Sequence, residues 1–272
     1  MVSSATPTRS LGRRVRWGVS RLYRLLEYLL LIVETPKDAL LIVKLLFTNR
    51  PYLGEWLRFS EASWLVEEDI KTVIDVGAYT GSLCFGIARQ LPDAHIYAFD
   101  PLPDNFERLQ LLANDIKLTP FNVAVGASEG AGSFFRNSFS ASSSALPIMR
   151  KHIEAFPETA QVEEIAVKYW QLDAHLDEFE LNSRVLLVLD VQGFELQALK
   201  GAELLLRQVD LVLCEVSFAE LYENQCSFEE LYDFLRPMGF VFKGDAGHLR
   251  DPHDGRILQV DALFIREGDS DE

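Results

Sequence analysis

The stretch Thr72-Val-Ile-Asp75-Val-Gly77-Ala-Tyr-Thr-Gly81 decides how this chain reads. Thr72 to Val76 is a short, mostly β-branched run, the pattern of a buried strand. Gly77 and Gly81 follow, and their missing Cβ atoms permit a tight turn and a close backbone approach to a ligand. Leu83, Ile87 and Leu91 then share one helical face. A ligand at this strand-turn-helix would meet a helix N-terminus, which suits a carboxylate and a phosphate equally well.

Working outward, β-rich and helical runs alternate from about residue 70 onward. The predicted strands are 72–76, 95–99, 118–124, 185–189 and 211–216, with 240–243 and 260–265 as a closing hairpin-like pair. Phe106, Leu109 and Ala113 mark a second helix, and Ser227-Phe-Glu-Glu230 is a capping box, with Gly239 as the stop. This alternation predicts an α/β fold: a Rossmann-like, doubly wound seven-stranded sheet with ligands beyond the carboxyl ends of its strands. Residues 127–170 interrupt the pattern with Gly130, Gly132 and the serine-rich Ser138 to Ser144, and are expected to form an insertion or lid over the strand ends.

Asp100 stands 19 residues beyond Gly81, at the end of the second predicted strand, where a carboxylate can accept hydrogen bonds from both hydroxyls of a ribose. The dinucleotide fingerprint Gly-x-Gly-x-x-Gly is not met, since Ala78 and Tyr79 fall where its middle would be. A nicotinamide-dependent oxidoreductase is therefore the weaker reading of an adenosine-type site.

Composition narrows the partners. The 272 residues are 48% apolar, enough for a full-sized core, and the formal charge of −15 argues against nucleic acid as a ligand. Residues 1–50 carry nine Lys/Arg against three Asp/Glu, a basic arm on an acidic body. Cys84, Cys214 and Cys226 form no Cys-x-x-Cys pair and no cluster with histidine, so no metal site is expected and a reducing cytoplasm is the default.

Residues 1–60 are expected to be a basic, amphipathic helical extension to a domain spanning 61–272. Leu22, Leu25, Leu26, Leu29, Ile32 and Val33 follow one helix face, and Ala39 to Leu46 is a second apolar run. Neither reaches the roughly 20 apolar residues of a membrane span, and Pro36 with its charged neighbours keeps them apart. Two readings stand: residues 20–47 lie on the cytoplasmic face of a membrane or dock a partner, or they cap the core or a homo-oligomer interface.

The chain resembles the FkbM family of methyltransferases from about Thr72 to Ile265. The resemblance rests on Asp75-Val-Gly-Ala78, Phe99-Asp-Pro101 with Asn105, Asn122 to Gly126, Ser142 to Ser144, Leu172-Asp173, Val188 to Glu195 with Leu199-Lys-Gly201, and Glu215 with Leu221-Tyr222. Family members often carry Glu at positions 100 and 192. Asp100 is equivalent toward a ribose, whereas Gln192 cannot act as a base.

The resemblance implies methyl transfer from S-adenosyl-L-methionine, commonly to an oxygen of a sugar, glycan or natural-product acceptor. It places Asp75, Gly77, Ala78, Tyr79 and Gly81 around the methionine part of the donor and Asp100 on its ribose. Leu102 and the run Asn122, Val123, Ala124 fall near the adenine, and Asp190 beside the donor or acceptor. Asp190 and Glu215, at the ends of their strands, and His175 are the candidates for catalysis, with a helix N-cap as the alternative role of Asp190 and a first-turn helix acid as that of Glu195. His248 is a further candidate base. A catalytically silent, cofactor-binding member that docks a membrane or partner remains the alternative from another class.

Overall fold

The structure is a computed structural model that describes residues 11–267, with side chains from residue 23 onward. Four helices come first: α1 (Leu11–Glu34), α2 (Ala39–Thr48), α3 (Arg50–Ser60) and α4 (Ser63–Glu67). The alternating part runs β1 (Ile70–Val76), α5 (Ser82–Gln90), β2 (His95–Phe99), α6 (Pro103–Leu112) and β3 (Leu118–Phe121). Then come β4 (Ala124–Val125), β5 (Gly130–Asn137), α7 (Arg150–Ala155) and β6 (Val162–Trp170). The chain continues as β7 (Arg184–Leu189), α8 (Glu195–Lys200), α9 (Glu203–Leu206), β8 (Leu211–Ser217), α10 (Phe228–Leu235), β9 (Phe240–Arg250) and β10 (Ile257–Arg266).

Seven strands form the main sheet in the order β3-β2-β1-β7-β8-β10-β9. The first five are parallel, and β10 runs antiparallel to both of its neighbours. This is the Rossmann-like, doubly wound arrangement that the alternation predicts, with the helical extension ahead of it. The central strands are buried almost throughout, as sheets covered on both faces require. In β1, Val73 points into a core shared with α1 to α3, α5 and α6, and Ile74 into the opposite core with α8 to α10. Strand order reverses between β1 and β7, so the carboxyl ends of those two strands diverge into a crevice.

The segment predicted as a single strand over 118–124 is two pieces. Pro120 lies within β3, and Asn122 and Val123 leave the sheet before β4 joins a separate three-stranded sheet, β4-β6-β5. The other two strands of that small sheet, β5 and β6, come from the segment predicted to interrupt the alternation, and they pair antiparallel. The capping box is formed: the Ser227 hydroxyl accepts from the Glu230 amide, and the Glu230 carboxylate accepts from the Ser227 amide.

The amino-terminal helices are not a separate body. Leu53, Trp56 and Phe59 of α3 are buried at i, i+3 and i+6, and join Tyr28, Leu31, Ile42 and Leu45 in the core beneath the sheet. Each such apolar side chain is worth roughly 1.5–3 kcal/mol when fully buried. Arg89 of α5 pairs with Asp38 in the turn after α1 and stacks on Trp56 at 4.4 Å. The face of α1 that enters the core is thus the Tyr28–Leu31 arc. Of the predicted stripe, the side chain of Leu22 lies outside those described, Leu25, Leu26, Leu29 and Val33 are exposed, and Ile32 is partly covered. The apolar arc of α1 is wider than core packing needs, and spacing alone does not say which part turns inward. Among the described residues no helix is long and apolar enough to cross a membrane.

Helices α3 and α5 touch at Gly86, where an added Cβ would lie 2.7 Å from the Glu55 carbonyl carbon. Backbone cannot yield as a flexible side chain can. Gly86→Val should therefore push α3 from the core and cost about 1–3 kcal/mol, as overpacking does, read as a lower urea midpoint in equilibrium unfolding.

Candidate active site

The crevice at the ends of β1 and β7 holds a pocket with about 1090 Å³ of open space. Its floor is the turn after β1. Gly77 and Gly81 have φ of +90° and +82°, so both take the left-handed conformation that the sequence requires of them. Their second expected role is met by protein instead of ligand. A Cβ on Gly77 would stand 1.9 Å from the Asp190 carbonyl oxygen, and one on Gly81 would stand 2.5 Å from Leu112. The glycines let β7 and α6 close onto the turn. Tyr79 is also left-handed, at φ +52°, and the Tyr52 hydroxyl of α3 donates to the Thr80 carbonyl at 2.5 Å.

Asp100 sits at the tip of β2 and faces the same pocket. Its carboxylate accepts from the Tyr79 amide at 3.1 Å, the Leu102 amide at 2.9 Å and the Asn105 side-chain amide at 3.1 Å. Three donors fix its direction. Asn122 donates from its side chain to the Asp100 carbonyl at 3.0 Å, so it supports the turn and is not part of the pocket wall. Asp75, Gly77, Ala78, Tyr79, Asp100, Leu102, Val123, Ala124 and Asp190 line the pocket together; Gly81 and Asn122 stand behind it. Phe134 and Tyr169 of the small sheet, with Ser140 and Ser143, close its upper side.

On the β7 side a network of side chains converges on two carboxylates. Gln192 and Gly193 are consecutive left-handed residues, at φ +55° and +94°, and they turn the chain sharply after Asp190. The Gln192 amide nitrogen donates to Asp190 at 2.8 Å and to Glu215 at 2.7 Å. Its oxygen accepts from the Tyr222 hydroxyl at 2.8 Å, which sets the amide orientation. Gln259 donates to the same Glu215 oxygen at 2.7 Å, and the Ser144 hydroxyl donates to the Gln192 carbonyl at 2.8 Å. Asp190 does not cap a helix; its carboxylate faces the pocket. Glu195 opens α8 in its first turn, is buried, and folds back to accept from the Val191 amide at 3.1 Å and the Gly193 amide at 3.0 Å.

His175 stands apart from this group. It stacks on Trp170 with ring centroids 3.8 Å apart and contacts Glu129 at 3.1 Å, outside the pocket wall. His248 contacts Asp245 at 3.2 Å on the exposed strand β9 and is likewise absent from the wall.

Sequence reasoning missed Glu55, Arg58 and Asp261, which complete the wall. Arg58 of α3 donates to Asp261 of β10 at 2.6 Å, to the Ala246 carbonyl at 3.0 Å and to Glu55 at 3.3 Å. A lone acid within the apolar run Val260-Asp-Ala-Leu-Phe264 was the available signal for Asp261. Nothing local marks Arg58, which finds its partner 203 residues away.

Burial shapes the charges. It pushes Asp75 up to about 7, against the Cys84 thiol that donates to it at 2.9 Å, and Asp100 up to about 7 despite its three donors. Burial also raises Glu195 to about 7, Asp190 to about 6 with help from Asp261, and Glu215 well above the carboxylate range with help from Asp190. The folded protein holds these protons to higher pH than the unfolded chain does. Between the ordinary carboxylate range and about 7 it binds more protons than the unfolded chain, so stability is fully present below that window and falls as pH rises through it. Thermal melts of the ligand-free protein should show Tm dropping by several degrees from pH about 5 to about 8, and Asp75→Asn should flatten the slope.

A model of the methyltransferase FkbM domain matches residues 75–242. The 2-O-methyltransferase NoeI of Sinorhizobium fredii (strain NBRC 101917 / NGR234) is 24% identical over 178 residues, covering 63% of this chain and 73% of that protein. Among solved structures, a precorrin-6y C5,15-methyltransferase from Geobacter metallireducens GS-15 aligns with a TM-score of 0.40 at 12% identity, over 77% of this chain and 85% of that one. Fibrillarin from Aeropyrum pernix, in complex with S-adenosyl-L-methionine, aligns with a TM-score of 0.41 at 13% identity, over 73% of this chain and 67% of that one.

Proposed function

The chain belongs to the FkbM methyltransferase family, and from that premise we propose that it transfers the methyl group of S-adenosyl-L-methionine to an oxygen of a sugar, glycan or natural-product hydroxyl. The observation that carries the donor assignment is Asp100: a carboxylate held by three donors at the tip of β2, facing the pocket beside the Gly77 to Gly81 turn. Oxygen as the acceptor atom is supported by the 2-O-methyltransferase relative.

The residues present fit such a donor. Asp100 would accept from the ribose hydroxyls, Leu102, Val123 and Ala124 would cover the adenine, and the turn from Gly77 to Tyr79 would border the methionine part. When bound, S-adenosyl-L-methionine supplies an electrophilic methyl group on a cationic sulfur. Asp75, Asp190 and Glu215 line the pocket, and a cationic ligand there would favour their ionised forms over the protonated ones that burial promotes. Alignment of the two reactants in this walled crevice supplies most of the rate, because in-line displacement depends chiefly on geometry.

A hydroxyl acceptor must also lose its proton. Glu215 is the base this reading assigns, since it lines the pocket and is fixed by two amide donors. A bound cationic donor would favour its ionised form, the one able to accept that proton, against the burial that keeps it protonated. Asp190 orients the reactants beside it. His175 has no part in this assignment, because it lies outside the pocket wall.

Titration calorimetry should detect S-adenosyl-L-methionine binding to the purified chain. Asp100→Ala should weaken it by at least about tenfold, since a hydrogen bond to a charged group is worth about 1.5–3 kcal/mol. A folded protein giving no heat with either the donor or its demethylated product would sink the reading. Glu215→Gln should keep donor binding and lower methyl transfer to a carbohydrate-rich extract by about 10²–10⁴-fold; unchanged turnover would remove Glu215 as the base.

A further inference from the structure

We propose that the outward faces of α1 and α2 dock the protein onto an anionic lipid bilayer surface. Leu26, Leu29, Leu30 and Val33 of α1 project into solvent, with Val33 74% exposed. On α2, Val43, Leu40 and Phe47 do the same, the last two at 87% and 79%. These side chains cannot turn inward. Tyr28, Leu31, Ile42 and Leu45 of the same two helices are already locked in the core against Leu53 and Trp56 of α3. The pair is therefore held rigidly with an apolar surface facing away from the body, where isolated exposed leucines would need no explanation but two such helices do.

Charge selects the occupant. Along α1 the sequence places Arg13, Arg14, Arg16, Arg21 and Arg24, and no acidic residue before Glu27. Lys44 lies between Val43 and Leu45 on α2. The rest of the chain is strongly acidic, so an anionic surface repels the body and attracts only this arm, which fixes the orientation of the encounter. An exposed apolar helix face in an arginine-rich segment is the composition of a helix lying in the plane of a membrane interface, and exposed basic residues such as Arg24 and Lys44 draw it to anionic lipids. A second copy would instead bring two basic helices against each other. Neither helix spans a bilayer, so contact is peripheral.

The same hairpin lies close to the pocket wall. A cleft lined by Arg24, Glu27 and Tyr28 of α1 shares Glu55 and Arg58 with the pocket wall. Docking thus brings the lipid surface close to helices that form part of the site. The inference does not rest on methyl transfer and would survive its failure.

The test is cosedimentation of the full chain with vesicles of phosphatidylcholine containing phosphatidylglycerol, and with phosphatidylcholine alone. Pelleting with the mixed vesicles, release by salt and little binding to phosphatidylcholine alone are expected. Leu29→Glu with Val33→Glu, and separately Arg24→Glu with Lys44→Glu, should each lower the partition coefficient at least about tenfold, with circular dichroism and Tm unchanged. Absence of binding to the mixed vesicles, or variants that bind as well as the parent chain, overturns the proposal. So does a dimer in light scattering that Leu29→Glu with Val33→Glu converts to monomer, which would assign the face to a second copy.

Discussion

The contact between Gly77 and the Asp190 carbonyl is the constraint from which the site is built. The two strands that lead into these residues are neighbours in the sheet, β1 and β7, yet the helices that follow them pack on opposite faces of it. The turn after β1 has to pass under the end of β7, and only a residue without a Cβ fits where one would stand 1.9 Å from that oxygen. The Asp190 amide in turn donates to the Val76 carbonyl at 2.9 Å, and the Gly77 and Ala78 amides donate to the Phe99 carbonyl at 2.9 Å. Backbone bonds thus lock three strand ends together. Asp75, Asp100 and Asp190 arrive at one pocket because that lock leaves them nowhere else to go.

Gathering carboxyl groups in a buried crevice is costly, and the chain offsets the cost with directed donors instead of opposite charges. Gln192 is the centre of this device. An acid at that position would add a further like charge beside Asp190 and Glu215. The amide supplies two donors instead, and the Tyr222 hydroxyl holds its oxygen away from both acids. The departure from Glu at this position is therefore compatible with an active pocket. A side chain unable to act as a base can still set where its neighbours' carboxylates point. Arg58 is the cation that balances the opposite wall, paired with Asp261 and Glu55.

What was legible in the sequence is what local rules determine. The β-branched run before Gly77, the left-handed glycines, Asp100 at a strand tip and the capping box at Ser227 all follow from the chemistry of adjacent residues. Asp190 and Glu215 were legible because strand ends in a parallel sheet converge by topology alone. Arg58 and Asp261 were not, since the pair exists only once the folded chain brings the Arg58 side chain of α3 within reach of β10. His175 misled for the opposite reason: residue type suggested a base, but stacking on Trp170 commits the ring elsewhere. The split of 118–124 was hidden because an apolar run does not reveal where its strand changes sheets. On α1 the spacing marked an apolar arc but could not tell its inward part from its outward one.

The amino-terminal helices have a closer relation to the pocket than an appendage would. The Tyr52 hydroxyl holds the Thr80 carbonyl of the glycine turn, Glu55 meets α5 at Gly86, and Arg58 reaches Asp261 across the pocket wall. One helix, α3, thus touches the turn, the helix after it and strand β10. Its other side carries the core contacts of α1 and α2 through Leu53 and Trp56. The helices that carry the exposed apolar surface and the helix that borders the acidic crevice therefore share one close-packed layer.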